Sequence, residues 1–164
     1  MRILGIDPGY AIVGFGVLDY DGMNFRVVNF GAITTPAGME FANRLEIIYR
    51  DMQEIISTYK PEALSMEKLF FNTNTTTAID VAQARGVIML ACRQAGMSIN
   101  EYTPLQVKSS MVGYGRAEKH QVQEMVRTYL HLKEVPKPDD TAAALALAIT
   151  HAHNSSQAAY LVTH

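Results

Sequence analysis

The chain has almost no means of covalent cross-linking: Cys92 is the single cysteine among 164 residues. A disulfide framework is therefore excluded, and a lone thiol within an apolar stretch (Ile88-Met89-Leu90-Ala91) reads as inert packing in a reducing, cytoplasmic setting. Long hydrophobic runs are absent too, and the N-terminus lacks the basic start and apolar core of a signal peptide, so neither membrane crossing nor export is expected. There is no excess of basic charge. The formal net charge is −2, so total charge gives no support for nucleic-acid binding, and any such role must rest on where the charges sit. Repeats, low-complexity tracts and linkers are also missing. What remains is 48 % hydrophobic and 18 % charged residues, the composition of one folded domain over residues 1–164 with a sizeable core.

Hydrophobic periodicity supplies the order of elements. Residues 2–7, 13–20 and 25–34 read as strands, with Asp21-Gly22 as a hairpin signal between the second and third. Gly14 and Gly16 inside the second strand point to close backbone approach or a bulge. Leu45, Ile48, Met52, Ile55, Ile56 and Tyr59 then recur at helical spacing up to Pro61. Ala63 to Met66 is a short strand ending on Glu67, and Asn72 to Thr77 reads as a polar loop. A helix from about Ala78 to Ala95 follows, then a strand from Ser98 to Thr103 and a short helix opened by Pro104. Gly113 and Gly115 bracket a loop, Val122 to Tyr129 marks another helix, and a last helix runs from Asp140 to about His153. Three antiparallel strands followed by strand–helix alternation predict an α/β fold, a mixed sheet flanked by helices.

Three acids stand at element ends. Asp7 closes the apolar run Ile3-Leu4-Gly5-Ile6, with Pro8 expected to stop the strand behind it. Glu67 closes Ala63-Leu64-Ser65-Met66, and Asp140, beside Asp139, opens the last helix. Each has an ordinary reading alone: an Asp-Pro-Gly turn, an exposed Glu67-Lys68 pair, a helix N-cap. If the strands of Asp7 and Glu67 are parallel neighbours, however, both acids leave the same end of the sheet and Asp140 can meet them. Converging carboxylates repel one another and need a cation; hard oxygen donors suit Mg²⁺ or Mn²⁺ and phosphodiester hydrolysis.

Several blocks together resemble the RuvC family of Holliday junction resolvases. They are Ile6-Asp7-Pro8-Gly9-Tyr10 with Gly14-Phe15-Gly16-Val17, Glu67-Lys68-Leu69-Phe70, Ala82-Gln83-Ala84-Arg85-Gly86, Val107-Lys108, Ala117-Glu118-Lys119 and residues 144–151. The likeness runs over essentially the whole chain, in the family's order. It implies a ribonuclease H-like fold with a five-stranded mixed sheet, and a two-fold symmetric homodimer. It implies cleavage of four-way DNA junctions in recombination and repair with two Mg²⁺ or Mn²⁺ ions, water attacking phosphorus in line. RuvA and RuvB are the implied partners. Asp7, Glu67 and Asp140 match three metal-binding acids of the family; Phe70, Lys108 and Lys119 match DNA-contacting positions. One position departs from the pattern: Ala143 stands where a fourth acid is expected, one helical turn after Asp140. Impaired cleavage is the expectation, with a junction-binding module lacking hydrolysis as the alternative and Asp139 as the nearest substitute ligand. An actin-like phosphotransferase, a second rival, normally requires another large domain.

The charge map supports DNA contact better than the total does: residues Lys108 to Lys133 carry +3 and the remainder −5. Phe70 and Phe71 follow Glu67 on a polar stretch, one suited to core packing and one to stacking on a base. The helix from Ala78 to Ala95 is apolar nearly all round, which with the resemblance suggests a dimer interface. His151 and His153, two apart, cannot face one way and read as helix-end residues rather than a zinc pair.

Overall fold

The computed structural model describes residues 1–9, 11–69 and 75–163, and the side chains of these except 75, 76 and 157–163. Its elements in chain order are β1 (Arg2–Pro8), β2 (Ile12–Tyr20), β3 (Phe25–Thr34), α1 (Phe41–Tyr59), β4 (Ala63–Glu67) and α2 (Thr75–Gln94). They continue as β5 (Ser98–Tyr102), α3 (Pro104–Val112), α4 (Lys119–Tyr129) and α5 (Asp139–Thr163). The strands form one sheet in the order β3-β2-β1-β4-β5. β1, β2 and β3 pair antiparallel, whereas β1–β4 and β4–β5 are parallel. This is the mixed five-stranded sheet expected.

Strand alternation divides the sheet's residues between two cores. Leu4, Ile6, Val13, Val17, Leu64 and Met66 face Ile48, Met52 and Ile55 of α1 and Ala84, Ile88 and Cys92 of α2. Ile3 and Leu18 face the other way, toward Met111 of α3, Val126 of α4 and Leu145, Ala148 and Ile149 of α5. By the same parity Gly5 and Asp7 on β1, Gly14 and Gly16 on β2, and Ser65 and Glu67 on β4 lie on the α5 side. A buried amphipathic face thus fixes which way each acid turns.

α5 is buried from Thr141 to Ala152 apart from half-exposed Ala143, as an apolar helix should be. It rests directly on the sheet backbone. A Cβ on Gly5 would stand 1.9 Å from the Ala144 carbonyl oxygen, one on Gly14 2.1 Å from that of Asp140, and one on Gly16 2.4 Å from Leu145 Cδ2. Only glycine permits this approach. Hydrogen bonds fix it further: Ser65 Oγ donates to the Leu147 carbonyl at 2.7 Å, and Thr141 Oγ1 donates to the Gly31 carbonyl at 3.1 Å.

Several boundaries differ from expectation. β1 continues through Pro8, paired with Val13, because a missing N–H is tolerated at a terminal strand position. α2 begins at Thr75, so Thr75–Thr77 are helical rather than loop, and residues 72–74 lie outside the described set. α5 extends to Thr163, which places His151 and His153 within the helix rather than at its end. They face apart, as their spacing requires. Buried His151 accepts or donates through Nδ1 to Tyr102 Oη at 2.6 Å, and His153 Nδ1 meets Ser110 Oγ at 2.8 Å.

Candidate active site

The parallel pairing of β1 with β4 matches Ile3 with Ala63 and runs to Ile6 with Met66, so Asp7 and Glu67 are the next residue on each strand. Both emerge from one end of the sheet, on the α5 side. On β2, Asp7 is paired with Gly14, the residue on which the Asp140 backbone sits. The strand partner of one acid therefore carries the other. Gly9 completes the seat: a Cβ there would lie 3.3 Å from Asp140 Oδ1.

A pocket of about 200 Å³ opens at this rim. Asp7, Glu67 and Asp139 line it together with Lys108, Lys119 and Gln123, over an apolar wall that includes Val107, Val122, Ala142, Ala143 and Leu147. Asp140 is not part of that lining, but its carboxyl lies close enough to Asp7 to act on it. Burial, then the hydrogen bond and charge of Asp140, then the charge of Glu67, hold Asp7 well above the usual carboxylate range; Lys119 opposes them. Burial also raises Glu67, against the pull of Lys108. Asp7 and Glu67 thus share the pocket, and the charges of Glu67 and Asp140 both reach Asp7.

They are not closed into a ligand set: among the described residues, no group of three or more His, Cys, Asp or Glu is arranged so that it could hold a metal ion. Ala143 lines the pocket without offering an oxygen, and Asp139 is engaged elsewhere, 2.8 Å from the Lys119 ammonium. Lys119 is accordingly paired in the structure, and so are two other side chains of α4 and its cap: Arg127 with Glu124 at 2.9 Å and His120 with Glu118 at 3.2 Å. Phe70 lies outside the described residues.

Three supports of the site have weak sequence signals. Ser65, a hydroxyl inside an apolar strand, and Thr141, beside the acid, are each fully buried and hydrogen-bonded to backbone. Arg85 of α2 reaches the Glu67 carbonyl through Nε at 3.4 Å and pairs with Glu101 on β5, bracketing the end of β4. Sequence periodicity marks Arg85 only as a polar position on a helix.

Acids from two parallel strand ends and a helix N-terminus, with lysines opposite, on a sheet of this order define a ribonuclease H-like nuclease. The family described as Crossover junction endodeoxyribonuclease RuvC matches residues 3–151. Relatives bearing that description include those of Clostridioides difficile, 57% identical over 155 residues (94% of this chain, 92% of that one), and Brevibacillus brevis, 59% identical over 152 residues (93% and 92%). The Thermus thermophilus RuvC structure superposes with a TM-score of 0.89 at 34% identity, covering 96% of this chain and 97% of that one. The same protein in complex with Holliday junction substrate gives 0.88 at 32% identity, covering 96% of each chain. The yeast mitochondrial resolvase Ydc2 shares the fold alone, with a TM-score of 0.71 at 12% identity. The chain belongs to the RuvC family and is an endodeoxyribonuclease, a hydrolase, by that membership.

Proposed function

We propose that this chain recognises four-way DNA junctions and hydrolyses a phosphodiester bond in strands of like polarity. It would act as one nuclease domain per protomer of a cytoplasmic homodimer, beside RuvA and RuvB, in recombination and repair. The convergence of Asp7, Glu67 and Asp140 beside Lys108 and Lys119 carries this reading. Lys108 and Lys119 would attract the phosphate that the acids alone would repel. Hydrolysis joins a water oxygen to phosphorus and breaks the bond to the 3′ oxygen, which leaves as a hydroxyl.

The donor set suits a hard divalent cation. The oxygens are all carboxylate, and the burial that raises Asp7, with the charges of Asp140 and Glu67 beside it, is what a bound cation would offset. Asp7, Glu67 and Asp140, not closed into a ligand set in this structure, would have to draw together to hold Mg²⁺ or Mn²⁺, two ions in the full site, which would supply Lewis-acid polarisation of the phosphodiester. The chain's own groups fix the approach: Gly14 and Thr141 set Asp140 against Asp7, and Arg85 steadies Glu67.

A stripe on α2 supports the dimer. Ile79, Gln83, Gly86 and Leu90 recur along one exposed face, opposite the buried Ala84, Ile88 and Ala91. A second copy bringing the same stripe would cover it with two-fold symmetry.

Ala143 favours a second reading, junction binding with weak cleavage, because that wall of the pocket carries no oxygen donor. A synthetic four-way junction assayed for both mobility shift and nicking, with and without Mn²⁺, tests both readings on the chain and on Ala143→Asp. The expected outcome is binding by both proteins and nicking accelerated by orders of magnitude, about 10²-fold or more, in the variant. Equal rates would refute impairment by Ala143, and failure of the folded chain to shift the junction would refute the function itself.

A further inference from the structure

We propose that Leu105 and Tyr114 form a rigid apolar ridge at the rim of the acid pocket, which packs against a nucleotide of the bound junction beside the phosphate held by Lys108 and Lys119. The inference rests on the junction-binding reading and adds to it a contact that is not ionic.

Large exposed hydrophobic side chains are few among the described residues. Ile79 and Leu90 belong to the α2 stripe, and Met1 and Met23 lie at the start of β1 and in the β2–β3 turn. Leu105, 61% exposed, opens α3, and Tyr114, 48% exposed, lies in the loop between α3 and α4. Gly113 ends α3 with φ +98°, and the chain then folds back so tightly that a Cβ on Gly115 would lie 1.9 Å from Leu105 Cδ1. Tyr114 is one residue from that contact.

The ring is tethered. Tyr114 Oη accepts a 2.7 Å hydrogen bond from Gln121 Nε2, while Gln121 Oε1 accepts from the Glu118 backbone N–H at 2.7 Å, at the start of α4. Both ends of one amide are used to hold an exposed aromatic in place. A side chain already ordered loses little entropy when it packs against a ligand.

The surroundings identify that ligand as a polyanion. Lys108 lies one helical turn from Leu105 on α3 and lines the acid pocket with Pro104 and Val107. Arg116 and Lys119 follow Tyr114 within five residues, and Lys119 lines the same pocket. An apolar ridge flanked by Lys108, Arg116 and Lys119, the last paired with Asp139, suits DNA, whose sugars and bases offer apolar faces between phosphates. It suits an apolar protein partner poorly.

The test compares junction affinity at several salt concentrations, without divalent cations, for the chain, Tyr114→Ala, Tyr114→Phe and Lys119→Ala, with a melting curve for each. Tyr114→Ala should bind about tenfold more weakly, with an unchanged salt slope and an unchanged melting temperature, and Tyr114→Phe, which keeps the ring but loses the tether, should fall between it and the chain. Lys119→Ala should instead lower the slope by about one. The ridge is overturned if Tyr114→Ala binds normally, if its melting temperature falls together with affinity, if its salt slope drops as in Lys119→Ala, or if Tyr114→Phe loses as much as Tyr114→Ala. Should the folded chain itself fail to bind, the junction reading falls and takes the ridge with it; the unsubstituted protein tells the two failures apart.

Discussion

The two faces of the sheet are built by different rules. Toward α1 and α2 the contact is between side chains: Leu4, Ile6, Val17 and Leu64 share one core with Met52, Ile55 and Ile88. Toward α5 side chains such as Ile3 and Leu18 also pack, but the backbone itself is in contact: Gly5 and Gly14 lie beneath the backbone of Ala144 and Asp140, and Gly16 beneath the Leu145 side chain. The first face supplies stability and tolerates adjustment, because long side chains can repack. The second fixes position, because a helix lying on bare strand backbone has nowhere to slide. The acids sit on the second face.

That contrast can be broken directly. Gly5→Ala forces a methyl into the Ala144 carbonyl, and Met52→Ala leaves a void under α1; each should cost about 3 kcal/mol and lower the melting temperature by roughly 10 °C. They should part company when Mn²⁺ is added. Met52→Ala should keep whatever thermal gain the unsubstituted chain shows, and Gly5→Ala should lose it, since α5 and Asp140 are displaced. Equal gains in both variants would mean that the glycine contact does not govern the site.

A smaller effect concerns acid stability at the far end of the sheet. Arg2 binds Asp19 through two hydrogen bonds, at 2.7 and 2.9 Å, and Arg26 adds a third at 2.6 Å. The hydrogen bond from Arg2, foremost, holds the Asp19 carboxyl well below the usual carboxylate range. The folded protein thus takes up this proton less readily than the unfolded chain. The stabilisation is complete above the unfolded pKa of about 4 and is lost as pH falls toward the folded value. Asp19→Asn should therefore melt several degrees lower at neutral pH and show a shallower decline between about pH 4 and 2, followed by circular dichroism. Parallel acid limbs in the two proteins would remove Asp19 from the account.

The smallest effect has the opposite sign. Nothing lies within 4 Å of a Cβ added to Gly86 on the exposed face of α2. Gly86→Ala should raise stability by up to about 1 kcal/mol through helix propensity, measured by denaturant titration at concentrations low enough to keep the protein monomeric. The same glycine-to-alanine change would then hurt on one face of the fold and help on the other.

Much of this was legible beforehand, and the part that was not has a common cause. Ile3 to Asp7 and Ala63 to Glu67 announced themselves as strands with an acid near the C-terminal end, although β1 runs on through Pro8, and Gly14 and Gly16 as points of close approach or a bulge, because local pattern encodes both. The seat of Asp140 on Gly14 was not readable. α5 is apolar around its whole circumference, so its sequence names no face and no neighbour. The pairing of Lys119 with Asp139 joins residues 20 apart, and the Ser65 bond to Leu147 spans 82, and no local period records either. His151 and His153 read as helix-end residues only because the helix runs further than its apolar pattern shows.

The bond from Ser65 to the Leu147 carbonyl has a consequence for how β4 is registered. Sliding that strand by a single step would turn Glu67 away from α5 and into the layer of Met52 and Ile88, where a carboxylate finds only hydrocarbon. A hydroxyl two residues upstream, bonded to one carbonyl of the helix, works as an index mark that tells the strand where to stop.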